Sequence, residues 1–145
     1  MKEIKLFWLC VGEFFSSLGM SFIWPLASVY LHDRLAIPLS IIGIVLLFNS
    51  LASVFGSYLS GILYDRSDPY RLLLAGIIFA IAILTLLIFF NGWIAFSILL
   101  FCIGIASGWN LTLVNSIATS IHSKDGRQVF MNIYFAQNLG VVAGT

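Results

Sequence analysis

The sequence predicts an all-α membrane protein, a bundle of hydrophobic helices that cross a bilayer. Hydrophobic residues make up 61% of its 145 residues and charged residues only 9%, and the mean hydropathy is +1.06. A soluble domain carries about 25% charged residues, because its surface must be wetted. The solvent of this chain is therefore predicted to be the lipid bilayer. The alternating pattern of membrane β-barrel strands is absent from the sequence.

Four segments are long and apolar enough to be membrane spans. A helix needs about 20 mostly apolar residues to cross roughly 30 Å of hydrocarbon, and in an open chain only helices satisfy the backbone N–H and C=O groups there. A fifth apolar stretch begins at Val129 and is still running at Thr145. The four predicted spans cover residues 6–31, 40–64, 72–90 and 93–120.

The basic residues predict which side of the membrane each connector occupies. Six of the seven Lys and Arg residues fall in three segments that share one side, and the opposite side has only Arg34. Because Lys and Arg are retained on the cytoplasmic side, the N-terminus is predicted to be cytoplasmic. The six residues are Lys2, Lys5, Arg66, Arg71, Lys124 and Arg127.

Small residues recur every four positions in the second span. Rows of this kind let helix backbones approach closely, which favours packing where lipid removes the hydrophobic force between helices. The second span is therefore predicted to be a bundle-forming helix. Its two rows are Ala52, Gly56 and Ser60, and Ser53, Ser57 and Gly61.

Glu13 is the only ionisable side chain well inside a predicted span. It lies about seven residues past Leu6, roughly 10 Å along the helix. Charges at such depth are costly and usually face a water-filled cavity or a partner, so Glu13 is the candidate for carrying protons. The alternative is a structural carboxylate that accepts hydrogen bonds from neighbouring hydroxyls. Helical spacing places Ser17, Ser21 and Trp24 on the same face, as candidates for lining a cavity.

The fourth span has a second polar face. Its candidates for lining a cavity are Asn110, Thr112 and Asn115. Neutral polar residues in membrane spans also commonly hydrogen-bond to other helices, so both roles remain open for this face.

The connector after the second span carries a motif of charged residues. Here the sequence resembles the major facilitator superfamily of secondary transporters. The signature of that family between helices two and three is G-x-x-x-D-[RK]-x-G-[RK]-[RK]. Asp68 and Pro69 stand in place of its Gly-Arg pair. The residues that match in register are Gly61, Asp65 and Arg66, and Arg71 keeps one terminal positive charge.

Other stretches carry the same resemblance. Gly140 and Gly144 belong to a segment similar to the glycine-rich helix five of drug/proton antiporters. Glu13, followed by Pro25, is similar to the helix-one pattern of some multidrug members. Leu100 stands where many antiporters have an arginine in helix four.

The resemblance implies two six-helix halves that enclose a midplane site and work by alternating access. Residues 1–145 would supply the first four to five helices of twelve, as an incomplete N-terminal half. The partner they lack would be the C-terminal half of the same protein. The implied activity is proton-coupled efflux of small molecules, such as lipophilic or cationic ones, across the plasma membrane.

Two rival interpretations remain from the sequence. One is a small four-helix multidrug carrier that acts as a dimer with a glutamate in helix one. The other is a membrane scaffold subunit that transports nothing. An enzyme or a cofactor protein is not predicted, because no metal cluster, nucleophile–base set or phosphate loop is present. Nucleic-acid binding is not predicted either, since the net charge is only +1 and no basic stripe with interleaved aromatics occurs.

The predicted orientation is testable by thiol labelling in intact cells. In a cysteine-free background, Asn91→Cys should react with an impermeant thiol reagent added outside, and Asp68→Cys should react only after the membrane is opened. The reverse labelling pattern would overturn the orientation.

Overall fold

A computed structural model describes residues 6–90, 92–121 and 125–144. Within these ranges the chain is helical and contains no strand, which confirms the predicted all-α class. A π-helical turn over Tyr30–Arg34 extends the first helix. The predictions for Lys2, Lys5, Asn91, Lys124 and Thr145 fall outside the described residues. The five helices are α1 (Leu6–Val29), α2 (Leu39–Tyr64), α3 (Pro69–Phe89), α4 (Trp93–Thr119) and α5 (Gly126–Gly144).

Helices α1 to α4 are long and apolar enough to cross a membrane. The first such segment includes the π-helical turn, so it continues to Arg34 instead of ending at Leu31. Helix α5 begins at Gly126, before the predicted start at Val129, because the polar residues that precede Val129 also adopt helical conformation.

The described chain divides into two compact units. The first contains α1, α5 and the end of α4 from Val114 onward. The second contains residues Leu31–Leu113, and therefore the π-helical turn from Leu31, α2, α3 and most of α4. Each unit is held by close approach of helix backbones.

In the second unit, α2 and α4 meet at glycines. A Cβ built on Gly56 would overlap the backbone carbonyl of Ile105 in α4. In the other direction, a Cβ on Gly104 would overlap the backbone of Asn49, and one on Gly108 would overlap that of Ser53. The small-residue packing predicted for the second span is therefore present, with Gly56 at its centre.

Two hydrogen bonds link the same helices. The side-chain amide of Asn49 donates to the backbone carbonyl of Leu100, and Ser57 Oγ donates to the carbonyl of Gly108 at 3.0 Å. Both contacts advance in the same direction along the two helices, so α2 and α4 run parallel. Two spans separated by one intervening span must run parallel if each crosses the membrane. The packing therefore agrees with the order of the predicted spans.

The first unit repeats this arrangement with different residues. A Cβ on Gly140 of α5 would overlap the carbonyl of Phe14 in α1, and one on Gly144 would overlap Ser21 and the carbonyl of Leu18. These contacts also advance together, so α1 and α5 run parallel. The two glycines predicted in helix five are the positions at which α5 lies against α1.

The glycine contacts predict a difference between two matched substitutions in α2. Gly56→Ala should lower the free energy of unfolding by about 1–3 kcal/mol, because the added methyl overlaps a backbone that cannot move away easily. Gly43→Ala should raise it by about 0.5–1 kcal/mol, since a Cβ there meets open space.

Unfolding of the purified protein by SDS in mixed micelles, followed by tryptophan fluorescence, measures both changes. Equal effects of the two substitutions would contradict the α2–α4 packing.

Candidate functional site

Glu13 is buried inside α1 despite its charge. Its exposed fraction is 8%, and it lies on a buried stripe of α1 with Leu6, Leu9 and Ser17. Within the described ranges its carboxylate has no hydrogen-bond or ion-pair partner. The alternative role, a structural carboxylate that accepts hydrogen bonds from neighbouring hydroxyls, is therefore not supported by any such bond within the described ranges.

The hydroxyls on the same face of α1 differ from each other. Ser17 is also 8% exposed, and its Oγ has no partner among the described residues. Ser21 Oγ donates to the carbonyl of Leu18 at 2.9 Å, so its hydroxyl is satisfied within its own helix. Trp24 is 40% exposed, so the buried part of this face narrows toward the end of α1.

The polar residues of α4 lie in both units. Asn110 and Thr112 belong to the second unit and Asn115 to the first, and all three are half-buried. The predicted cavity-lining set is therefore not assembled within either unit.

Asn110 has a specific contact with α3. Its Oδ1 is buried against Gly76, where a Cβ would overlap it, and it has no hydrogen-bond partner. The neighbouring Trp109 donates from Nε1 to the carbonyl of Leu72 at 3.0 Å. Helix packing is thus the role that the structure shows for this part of α4.

An apolar groove of about 480 Å³ runs between α1 and α5 in the first unit. Four phenylalanines line it, and Asn132 supplies its one side-chain amide. Glu13 is not among the lining residues, although Leu6, on the same buried stripe of α1, is one of them. The lining residues are Leu6, Phe7, Cys10, Val11, Phe14, Phe15, Asn132, Phe135, Ala136 and Leu139.

The charged connector forms a short turn between α2 and α3. The backbone N–H groups of Arg66 and Ser67 donate to the carbonyl of Leu63, which closes the end of α2. Asp65 follows α2 as its C-cap and is exposed. Its backbone N–H donates to the carbonyl of Leu63, and its side chain makes no hydrogen bond or ion pair within the described residues. A Cβ on Gly61 would likewise meet open space.

The two residues that depart from the family signature have a structural role. Asp68 accepts a hydrogen bond from the backbone N–H of Tyr70 at 3.1 Å, and Pro69 is the first residue of α3. An aspartate N-cap followed by proline at the first helical position is a favourable helix start. Arg71 pairs with Asp68 at 3.9 Å on the exposed surface. Asp68, and not Asp65, therefore meets the helix end in this connector, and the Asp-Pro pair was the sequence signal for it.

Comparison with known proteins decides the family. The sequence profile of the Major Facilitator Superfamily matches residues 9–145. The chain belongs to the Major Facilitator Superfamily. Members of this superfamily are transporters, so the family match points to transport and not to an enzyme.

Two relatives within the superfamily are similar over nearly the whole chain. The uncharacterized MFS-type transporter YttB of Bacillus subtilis is 38% identical over 137 residues, which is 94% of this chain and 34% of YttB. The multi-drug resistance efflux pump PmrA homolog of Lactococcus lactis is 28% identical over 147 residues, which is 99% of this chain and 36% of that protein. The chain thus spans about a third of the length of these relatives. No solved structure gives a significant match.

Proposed function

We propose that this chain is the N-terminal part of a proton-coupled transporter that exports small lipophilic or cationic molecules by alternating access. Its partners are then the lipid bilayer, protons, the substrate and the C-terminal half of the same protein. Relatives three times as long support a full transporter of two halves. The name of one relative, a multi-drug resistance efflux pump homolog, favours efflux.

The observation that carries the proposal is the buried, unpartnered carboxylate of Glu13. A charged group at the centre of a membrane span costs about 2.5–3.5 kcal/mol on insertion scales. A structural carboxylate would offset that cost with hydrogen bonds or a counter-ion, and none is found within residues 6–90, 92–121 and 125–144. A carboxyl group that exchanges a proton with a substrate pathway has a reason to be left unpaired. Glu13 is therefore the proposed coupling residue, with Ser17, Ser21 and Trp24 on its face.

We propose that the protein lies in the plasma membrane with its N-terminus in the cytoplasm, and the described basic residues support that orientation. Arg66 and Arg71 lie at the α2–α3 connector and Arg127 at the start of α5, whereas Arg34 is in the turn after α1. If the four spans cross the membrane in alternating directions, Arg66, Arg71 and Arg127 lie on one side and Arg34 on the other. This agrees with the preference of Lys and Arg for the cytoplasmic side.

Asp65, Arg66 and Gly61 are proposed to form a cytoplasmic latch with the other half of the transporter. Their exposure supports this role, since neither Asp65 nor Gly61 is used by the packing within the described chain. A non-transporting scaffold is the remaining alternative, and it predicts that these residues matter only for assembly.

The coupling role of Glu13 predicts distinct results for two substitutions in the full-length transporter. Glu13→Gln should abolish transport driven by a pH gradient, because the amide keeps size and hydrogen bonding but cannot ionise. Glu13→Asp should keep some activity with an altered pH profile, because the carboxyl group is retained on a shorter chain. The measurement is uptake into inverted vesicles, normalised to protein in the membrane. Near-normal gradient dependence of Glu13→Gln would contradict the proposal.

The latch predicts that Gly61→Leu and Asp65→Asn each reduce transport about fivefold or more while insertion stays normal, because each weakens one end state of the conformational cycle. The structure offers matched controls for both. Gly43→Leu places the same side chain in open space elsewhere on α2. Asp68→Asn removes a charge from the same turn but keeps a good N-cap residue. Unchanged transport in the two latch variants, or equal loss in their controls, would refute the latch.

A further inference from the structure

We propose that Ser17 is the positioning residue for the Glu13 carboxyl group. Its hydroxyl donates a hydrogen bond to the carboxylate when Glu13 is ionised and releases it when Glu13 takes up a proton. This inference rests on the proposed coupling role of Glu13 and assigns a second residue to the same step.

The spacing of the two residues brings them within reach of each other. Residues four apart on a helix lie on neighbouring turns of one face, with Cβ atoms about 5–6 Å apart. Glu13 and Ser17 have this spacing, both are more than nine-tenths buried, and neither has a partner among the described residues. A hydrogen bond to an ionised carboxylate is among the stronger ones in proteins. A side-chain rotation that joins them satisfies both at once.

Helix α5 covers the Ser17 end of the pair at Gly140. A Cβ on Gly140 would overlap the carbonyl of Phe14 and would lie 3.1 Å from Ser17 Cβ and 3.2 Å from the backbone N of Leu18. The bare backbone of α5 therefore lies directly against Ser17 and limits where its hydroxyl can turn. The glycine contact thus excludes lipid from the turn of α1 that follows Glu13.

Ser21 provides an internal contrast on the same face. Its hydroxyl already donates to the carbonyl of Leu18, and α5 packs against it at Gly144. Both serines are thus covered by α5 at a glycine, but only Ser17 has a hydroxyl without a partner. Loss of the hydroxyl should therefore affect Glu13 at position 17 and not at position 21.

One titratable side chain of the first unit, Cys10, lies three residues before Glu13 on α1 and makes an interaction of its own, whereas the titratable side chains of α5 lie away from the pair. On α5, Arg127 is in the first turn, about 20 Å before Gly140 along the helix, and Tyr134 is exposed. The end of α4 from Val114 to Ile121 contains no titratable side chain. Ser16, three residues after Glu13, is exposed, so Ser17 is the nearest buried hydroxyl that the described residues offer beside Glu13. The remaining titratable residues described in this unit are Tyr30 and Asp125.

The test is the pH profile of gradient-driven transport in the full-length protein. Ser17→Ala should move the midpoint of the profile to higher pH by about one unit, a tenfold change in proton affinity, because a donor to the ionised form is lost. Ser17→Cys, with a weaker donor of similar size, should give a smaller shift. Ser21→Ala should leave the midpoint unchanged.

Each outcome decides one question. A shift for Ser17→Ala without one for Ser21→Ala supports the pairing. No shift for Ser17→Ala, with gradient dependence still lost in Glu13→Gln, overturns the pairing but leaves the coupling role intact. Equal shifts at positions 17 and 21 also overturn it, because they indicate a general effect of helix packing. Retained gradient dependence in Glu13→Gln removes the coupling role itself, and the pairing with it.

Discussion

Close contact between the backbones of parallel helices is the interaction on which the rest of this structure depends. Lipid provides no hydrophobic force between helices, so they associate through packing and through polar bonds at short range. Gly56, Gly104 and Gly108 let the backbones of α2 and α4 come into contact. The hydrogen bonds that Asn49 and Ser57 donate to α4 then become possible. The same geometry at Gly140 and Gly144 holds α5 to α1.

The α1–α5 contact connects architecture to function. Gly140 lies against Ser17, one turn after Glu13, so the helix that packs most closely on α1 does so beside the buried carboxyl group. A larger residue at position 140 would separate the helices and admit lipid or water next to Glu13. The glycines of α5 therefore serve the proposed coupling site indirectly, through the environment that they create.

Much of the fold could be predicted from the sequence because hydrophobic length and small-residue spacing are local properties. The predicted spans overlap α1 to α4, and the row through Gly56 lies at the α2–α4 contact. The partner glycines Gly104 and Gly108 have the same four-residue spacing, which is the sequence signal for the α4 side of this contact. The burial of Asn110 Oδ1 against Gly76 could not be predicted, since it depends on how α3 meets α4.

For the candidate site, the sequence predicts only which residues share a helix face. Periodicity placed Glu13, Ser17 and Ser21 on one face, but it could not tell that Ser21 is satisfied within its own helix and that Ser17 is not. The family signature drew attention to Asp65, whereas the helix end is capped by Asp68 through an Asp-Pro pair outside that signature. The proposed latch depends on a second half of the protein, so the described residues do not include the surface that it would contact.

The central claim is that Glu13 is a carboxyl group inside the membrane that exchanges its proton during transport. Modification by carbodiimides, read by mass spectrometry of the full-length transporter in membranes, tests this most directly, because the reagent attacks the protonated acid. The account predicts that an apolar carbodiimide modifies Glu13 at a rate that falls as the pH rises, and that a water-soluble one modifies Asp65 and Asp68 but not Glu13. Modification of Glu13 at a rate independent of pH, or by the water-soluble reagent as readily as Asp65, would contradict it.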